Sequence, residues 1–254
     1  GVAYLEAMSP VDCIFLDPAR RNEHGGKTVA ISDCEPNVAK LEGLLLSKAN
    51  RIMIKLSPML DLSQALKELP HTQEVHIISV NNECKELLLL LGQTAPEEIP
   101  VHCVNLSTKG EQEKQLFVFT REQEQHSECS YTDTLGNYLY EPNASLLKAG
   151  AFRSIAAAYS VKKLHPNSHL YTSETQIEGF PGRTFRIINR CSLNKKEIKE
   201  NLSDLKKANI TVRNFPATVA ELRKRIKLAE GGDTYLFAST LNDGQKILIR
   251  CGKV

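Results

Sequence analysis

The feature that most constrains this chain is a short apolar run that stops at a proline. Val11-Asp12-Cys13-Ile14-Phe15-Leu16 is β-prone and ends at Asp17-Pro18. Proline cannot donate to a strand ladder and restricts the residue before it, so a buried strand is expected to end there. The pattern recurs where Arg51-Ile52-Met53-Ile54-Lys55-Leu56 ends at Ser57-Pro58. In open parallel α/β sheets, ligands bind beyond the carboxyl ends of the strands. Two proline-terminated ends therefore predict one cleft.

Between and after these runs the pattern changes period. Glu35-Pro36 opens a helical segment with Val38, Leu41, Leu44 and Leu45 on one face. Asp61 or Ser63 can cap a short helix reaching Leu69, and residues 74–80 read as a third strand. Strand, helix, strand, helix, strand argues for a parallel sheet with crossover helices, the second half of a doubly wound sheet. Residues 85–91 fit a buried helix or a strand. A strand pairing back on residues 74–80 is favoured, because Asn81-Asn82 tolerates the positive φ of a tight turn. Residues 102–106 and 115–120 read as a hairpin around a polar loop, and residues 20–27, with Gly25-Gly26, as another polar loop.

Residues 121–131 are nearly free of apolar side chains and read as a linker. An Ala-rich helix is expected over 145–159, followed by a loop-rich stretch over 165–182. The remainder reads as strand 184–190, helix 195–207, strand 210–213, helix 218–228 and strands 234–240 and 246–251. Asn242-Asp243-Gly244 is a hairpin turn between the last two. This is an α+β unit, and no internal repeat is visible.

Charge divides along the same line. Residues 1–133 hold 12 Lys+Arg against 20 Asp+Glu, and residues 134–254 hold 20 against 10. A basic second half points to a polyanionic partner. The seven cysteines are scattered, with no C-x-x-C pair, so neither a disulfide framework nor a zinc knuckle is expected. Reduced, mostly buried thiols imply a cytoplasmic protein. His165 and His169 have the i, i+4 spacing of a metal pair, but Pro166 and Asn167 oppose a helix there and no third ligand is near, so no metal is expected. The longest apolar run, 87–91, is far short of a membrane span, and no membrane partner is expected. The chain begins at Gly1 rather than Met, on an apolar stretch, which suggests a segment of a longer protein.

Asp17-Pro18-Ala19-Arg20 resembles the D-P-P-Y or D-P-x-R motif of S-adenosylmethionine-dependent methyltransferases that modify nucleic-acid bases. The whole chain is similar to bacterial methyltransferase-like proteins with a C-terminal THUMP-like domain. The stretches that carry this are Leu16-Asp17-Pro18-Ala19-Arg20-Arg21, Ile54-Lys55-Leu56-Ser57-Pro58-Met59-Leu60-Asp61, Glu83-Cys84-Lys85-Glu86-Leu87 and Tyr138-Leu139-Tyr140-Glu141-Pro142-Asn143. Leu170-Tyr171-Thr172-Ser173, Phe180-Pro181-Gly182-Arg183, Arg213-Asn214-Phe215-Pro216 and Thr234-Tyr235-Leu236-Phe237 extend it. The fold implied is α/β: the C-terminal half of a Rossmann-like methyltransferase sheet, then an α+β, ferredoxin-like and THUMP-like part. The expected boundaries are 1–133, 134–182 and 183–254.

The resemblance implies S-adenosylmethionine as cofactor and tRNA or rRNA as partner. It also implies a donor site with a glycine-rich first turn and an acidic second-strand end. Neither precedes Asp17, so most of that site is expected to lie outside this chain. Asp17, Pro18, Ala19 and Arg20 are the catalytic candidates, with Asp17 and Pro18 also next to the cofactor. The Asp17 carboxylate and the Pro18 carbonyl can hold the N–H bonds of a base amine and aim its lone pair. Arg20 and Arg21 suit phosphate or base contacts through their planar donor forks. Lys55, Ser57, Arg183 and Arg213 complete the substrate-contact set with Arg21. Phe215 and Tyr235-Leu236-Phe237 can stack on bases, though aromatics in apolar runs are more often core.

Carbon methylation of pyrimidines ordinarily uses a cysteine nucleophile, and Leu56-Ser57-Pro58 has none. Cys84 is the nearest in sequence and reads better as a structural thiol. N-methylation of an RNA base is therefore expected. The alternatives are a non-catalytic RNA-binding protein with a vestigial methyltransferase fold, and a DNA adenine methyltransferase. The sequence does not specify an oligomeric state.

Overall fold

The computed structural model describes residues 1–20, 30–108 and 114–254, with only the backbone of Arg20. The chain divides into two compact units, Gly1–His126 with Asn143–Ala151, and Ser127–Pro142 with Phe152–Val254. No helix among the described residues is long and apolar enough to cross a membrane.

The first unit contains α1 (Val2–Ala7), β1 (Val11–Leu16), β2 (Ala19–Arg20), β3 (Cys34–Glu35), α2 (Val38–Lys48), β4 (Ala49–Leu56) and α3 (Leu62–Glu68). β5 (Thr72–Val80), β6 (Glu83–Gly92), β7 (Pro100–Leu106), β8 (Lys114–Thr120), α4 (Arg121–His126) and α5 (Ala144–Ala149) follow. Six strands form one sheet in the order β1-β4-β6-β5-β7-β8. The expected parallel pairing holds for β1 with β4, and β5 also pairs in parallel with β7. β6 pairs back on β5 as expected from the Asn81-Asn82 turn, but it inserts antiparallel between β4 and β5, so those two are not neighbours. The Asn81-Asn82 turn makes this possible: both residues take positive φ, 51° and 64°, so β6 folds straight back on β5.

One face of the sheet is dry. Val75, Ile77, Leu87, Leu89 and Val101 are fully buried on it, each contributing roughly 1.5–3 kcal/mol. α5 lies against β5, β6 and β7, and α2 against β4. The caps follow side-chain chemistry. Asn37 Oδ1 accepts from the Lys40 amide at 3.2 Å, so α2 starts after Pro36 rather than at it. Asp61 Oδ1 caps α3 from the Gln64 amide at 2.9 Å. The alternate residues Phe15, His76, Leu106, Leu116 and Val118 are partly or largely exposed on the other face. There His76 and His102 stack with ring centroids 4.4 Å apart, and burial followed by the neighbouring His76 pulls His102 below its ordinary pKa.

The segment read as a linker over 121–131 begins with α4 and holds the unit boundary between His126 and Ser127. The single helix expected over 145–159 is two. Gly150 takes φ 77° and donates its amide to the Leu146 carbonyl at 3.0 Å, which ends α5. The chain then enters α6 (Arg153–Ala158) in the second unit.

That unit also holds β9 (Tyr138–Pro142), β10 (Lys162–Lys163), β11 (Tyr171–Ser173), β12 (Gly182–Cys191), α7 (Lys195–Leu202), β13 (Asn209–Val212), α8 (Val219–Ile226), β14 (Thr234–Thr240) and β15 (Lys246–Lys253). Its seven-stranded sheet has the order β10-β11-β9-β12-β15-β14-β13, and β13 runs parallel to β14. The stretch expected to be loops thus contributes β11, and α7 is shorter than the helix expected to 207. β9 pairs with β12, so a single sheet spans the segments before and after Gly182. Any Cβ at Gly182 would lie 2.1 Å from the Glu141 carbonyl oxygen, which only glycine avoids. One core lies around Phe185 and Phe237, another around Leu236 and Leu248. Phe215 packs against the second core, and Tyr235 packs against Phe185 at 4.9 Å, so these rings are occupied inside the unit rather than presented to a base.

Candidate active site

β1 and β4 are parallel, and Leu16 stands opposite Ile54. One residue further on, Asp17 and Lys55 face each other at the carboxyl ends of both strands. Lys55 Nζ lies 2.5 Å from Asp17 Oδ2, with the side chains 31% and 53% exposed respectively. The hydrogen bond to Asp17 raises the Lys55 ammonium above its ordinary pKa, with a smaller contribution from Glu86, so it stays charged at neutral pH. A carboxylate this exposed can accept from an incoming donor while Lys55 holds it in place.

The two proline-terminated ends do open on one pocket of about 170 Å³. Asp17, Pro18, Lys55, Leu56, Ser57 and Pro58 line it, with Lys85 and Glu86 from β6. Pro18 is buried and Ala19 exposed. Ser57 is partly committed to its own turn, where its Oγ accepts from the Met59 amide at 3.2 Å and its carbonyl from the Leu60 amide at 3.1 Å. Lys85 Nζ pairs with Glu83 Oε2 at 2.6 Å. Ala19 and Arg20 form β2, paired antiparallel with β3. Arg21 lies outside the described residues.

The β2–β3 ladder brings in a residue that the sequence reading missed. Arg20 stands opposite Cys34, and Cys34 forms part of the pocket wall, 6% exposed. Cys84, singled out by its place in the sequence, is not in that wall. Burial pushes its thiol above the ordinary value, with Lys148 opposing, so it is not a ready thiolate. Nothing local in the sequence marks Cys34, because only the ladder carries it to Asp17.

Arg183 and Arg213 belong to the second unit, where both guanidiniums converge on Glu141. Arg183 Nε donates to Glu141 Oε2 at 2.9 Å, and its Nη2 donates to the same oxygen. Arg213 donates to Oε1 from Nε at 3.2 Å and from Nη2 at 2.9 Å. Glu141 is 2% exposed in its side chain, against 38% and 37% for the two arginines. Arg183 also lies over the Phe185 ring at 5.4 Å. A buried acid at the end of an apolar strand was the available signal, since such a charge is rarely buried unpaired. Lys163, one of the basic residues of the second half, is 2% exposed, with Nζ donating to the Pro166 carbonyl at 2.5 Å.

The histidine pair of 165 and 169 serves local structure. His165 Nδ1 accepts from the Asn167 amide at 3.0 Å, and His169 stacks on Phe152 with centroids 3.7 Å apart. Burial, then the charges of Lys163 and Arg213, lower the His169 pKa to about 4.

Residues 138–181 match a ferredoxin-like domain, and residues 182–253 match a THUMP domain-like module. Among solved structures, the chain is similar to a protein of Porphyromonas gingivalis W83 described as a candidate methyltransferase. The identity is 41% and the TM-score 0.87. The match covers 96% of this chain and 60% of that one, so this chain spans about three fifths of its relative's length. No curated protein matches. With a mixed α/β sheet whose first strand ends at Asp17-Pro18, followed in sequence by these two modules, the chain resembles methyltransferase-like proteins that carry a THUMP-like domain.

Proposed function

We propose that this chain is the catalytic-loop and RNA-binding part of an S-adenosylmethionine-dependent methyltransferase that N-methylates a base in tRNA or rRNA. The observation that carries the proposal is the Asp17–Lys55 pair at the shared carboxyl edge of two parallel strands. The ion pair fixes the direction of the Asp17 carboxylate. The carboxylate and the Pro18 carbonyl take the two N–H bonds of a base amine, which turns the nitrogen lone pair outward. Arg20 follows in sequence as a substrate contact, Arg21 takes the same role on its sequence alone, and Ala19 leaves room for the base. Ser57 and Lys55 form the far wall.

The methyl donor, when bound, supplies an electrophilic methyl group on a sulfonium. Asp17 and Pro18 can abut its reacting end. Small-molecule pockets commonly enclose about 300–1,000 Å³, and this pocket is about 170 Å³. These residues therefore suit the reacting edge, while most of the donor's site is supplied from outside the chain. The reading takes 1–133 as the methyltransferase part, 134–182 as a linking segment and 183–254 as the THUMP-like unit, in a cytoplasmic protein. Support for RNA comes from the THUMP-like match and the basic second half of the sequence.

Nucleosides from RNA and DNA of deletion and parental cells, compared by mass spectrometry, test the reading. One methylated RNA base should vanish on deletion and return with the wild-type gene but not with Asp17→Ala, which retains RNA affinity. Loss of a DNA mark, or full rescue by Asp17→Ala, overturns it.

A further inference from the structure

We infer that Glu74, His76 and His102 form a binding site for a divalent first-row transition-metal ion, zinc foremost. The site lies on the more exposed face of the first unit's sheet. Glu74 and His76 are two apart on β5, so both side chains leave the same face. β5 and β7 pair in parallel with His76 directly opposite His102, which puts the third ligand on that face as well. The ligand atoms of the three residues all lie within 4.8 Å of one another.

The distances suit a metal. Bonds of about 2.0–2.1 Å at a tetrahedral angle place neighbouring ligand atoms roughly 3.3–3.4 Å apart. Glu74 Oε2 lies 3.2 Å from His76 Nε2 and 3.9 Å from His102 Nε2, on either side of that value. The rings lie 10° from parallel in a stack, so each must swing well out of the stack about its side-chain torsions before both lone pairs meet at one ion. Their side chains are 27% and 25% exposed, which leaves the rings room to turn and an ion a way in. Leu88 stands opposite His76 on β6, and Val118 opposite His102 on β8. The donors are thus flanked by apolar walls without competing carboxylates in those places.

Two imidazoles and one carboxylate are borderline donors, which favour zinc and its neighbours over calcium or magnesium. Three protein ligands leave a fourth position for water or an exogenous atom, the arrangement of an open site. Twenty-six residues separate the two histidines, so no spacing rule finds the set, and only the strand register assembles it. Lys55 occupies the same cross-strand row two strands away, opposite Leu88, but takes no part in the site.

The test is calorimetric titration of the metal-free full chain with zinc chloride, alongside His102→Gln, Glu74→Gln and Cys13→Ser, which removes an exposed thiol. The wild type should bind one equivalent with micromolar affinity. His102→Gln and Glu74→Gln should each lose more than the roughly 10–100-fold that removal of a residue hydrogen-bonded to a metal ligand costs. Cys13→Ser should bind as the wild type does. Cobalt(II) on the wild type should give ligand-field bands without a thiolate charge-transfer band, a readout that needs no variant. Absence of zinc binding at millimolar metal overturns the assignment. So does unchanged affinity in His102→Gln, loss of binding in Cys13→Ser, or a thiolate band with cobalt.

Discussion

Replacing Glu141 with alanine tests how the second unit holds its two central arginines. The carboxylate accepts from Nε and Nη2 of both Arg183 and Arg213, at 2.9–3.2 Å for the three longer contacts. Removing one partner of a fully buried ion pair costs about 3–5 kcal/mol, because the surviving charge is stranded without water. Here the survivors are not stranded, since the arginines keep 38% and 37% exposure. Solvent screening therefore discounts the loss to about 2 kcal/mol. At about 2–4 °C per kcal/mol for a chain of this size, the expected fall in Tm is about 4–8 °C. The chain has no tryptophan, so near-UV circular dichroism of its tyrosines is the signal to follow. Tyr140 and Tyr171 are fully buried in the affected sheet. Combining Glu141→Gln with Arg213→Gln should lose less than the sum of the single losses, by about 0.5–3 kcal/mol, because both report one network. A Tm within about 1 °C of wild type for Glu141→Ala would refute the reasoning.

Cys34→Ala separates nitrogen from carbon chemistry. Turnover in the full-length methyltransferase should stay within about threefold of wild type, since N-methylation needs no thiolate; a loss beyond about 100-fold would indicate a covalent cysteine route. His169 makes the second unit acid-sensitive. Its folded pKa of about 4 lies below the ordinary value near 6.5, so the unfolded chain takes up the proton first. The stability is fully present above about pH 6.5 and is lost as pH falls through about 4. Discounted for the partly exposed ring, the loss is about 1–2 kcal/mol. Denaturant titrations between pH 7 and pH 4 should show it, and His169→Asn, which tolerates the φ of 52° there, should flatten it. An equal pH slope in the variant would remove His169 as the cause.

Local chemistry was legible without coordinates. Prolines 18 and 58 end their strands because a residue without an N–H cannot extend a ladder, and the matched ends share one pocket. Asn81-Asn82 makes its tight turn because asparagine accepts positive φ, and Asn242-Asp243-Gly244 joins β14 to β15 in an antiparallel pair. The split between an acidic first part and a basic second part was countable residue by residue.

What depends on register was not legible. The alternation of strands and helices suggested parallel neighbours for the first three strands, and the Asn81-Asn82 turn an antiparallel return after them. Neither carries information on where a returning strand inserts, and β6 lies antiparallel between β4 and β5. Gly150 was invisible as a helix stop inside an alanine-rich run, because its left-handed φ exists only in the folded chain. Composition counted Arg183, Arg213 and Lys163 alike in a basic second half. Tertiary packing ties the first two to Glu141 and buries the third, because a charge withdrawn from water must find a partner. The sequence by itself determined where the strands end and that Asp17 stands at an edge. Only the tertiary structure decided that Lys55 pairs with Asp17 and that Cys34 shares their edge, and that Glu74, His76 and His102 share another face. Side chains far apart along the chain become neighbours through strand register alone.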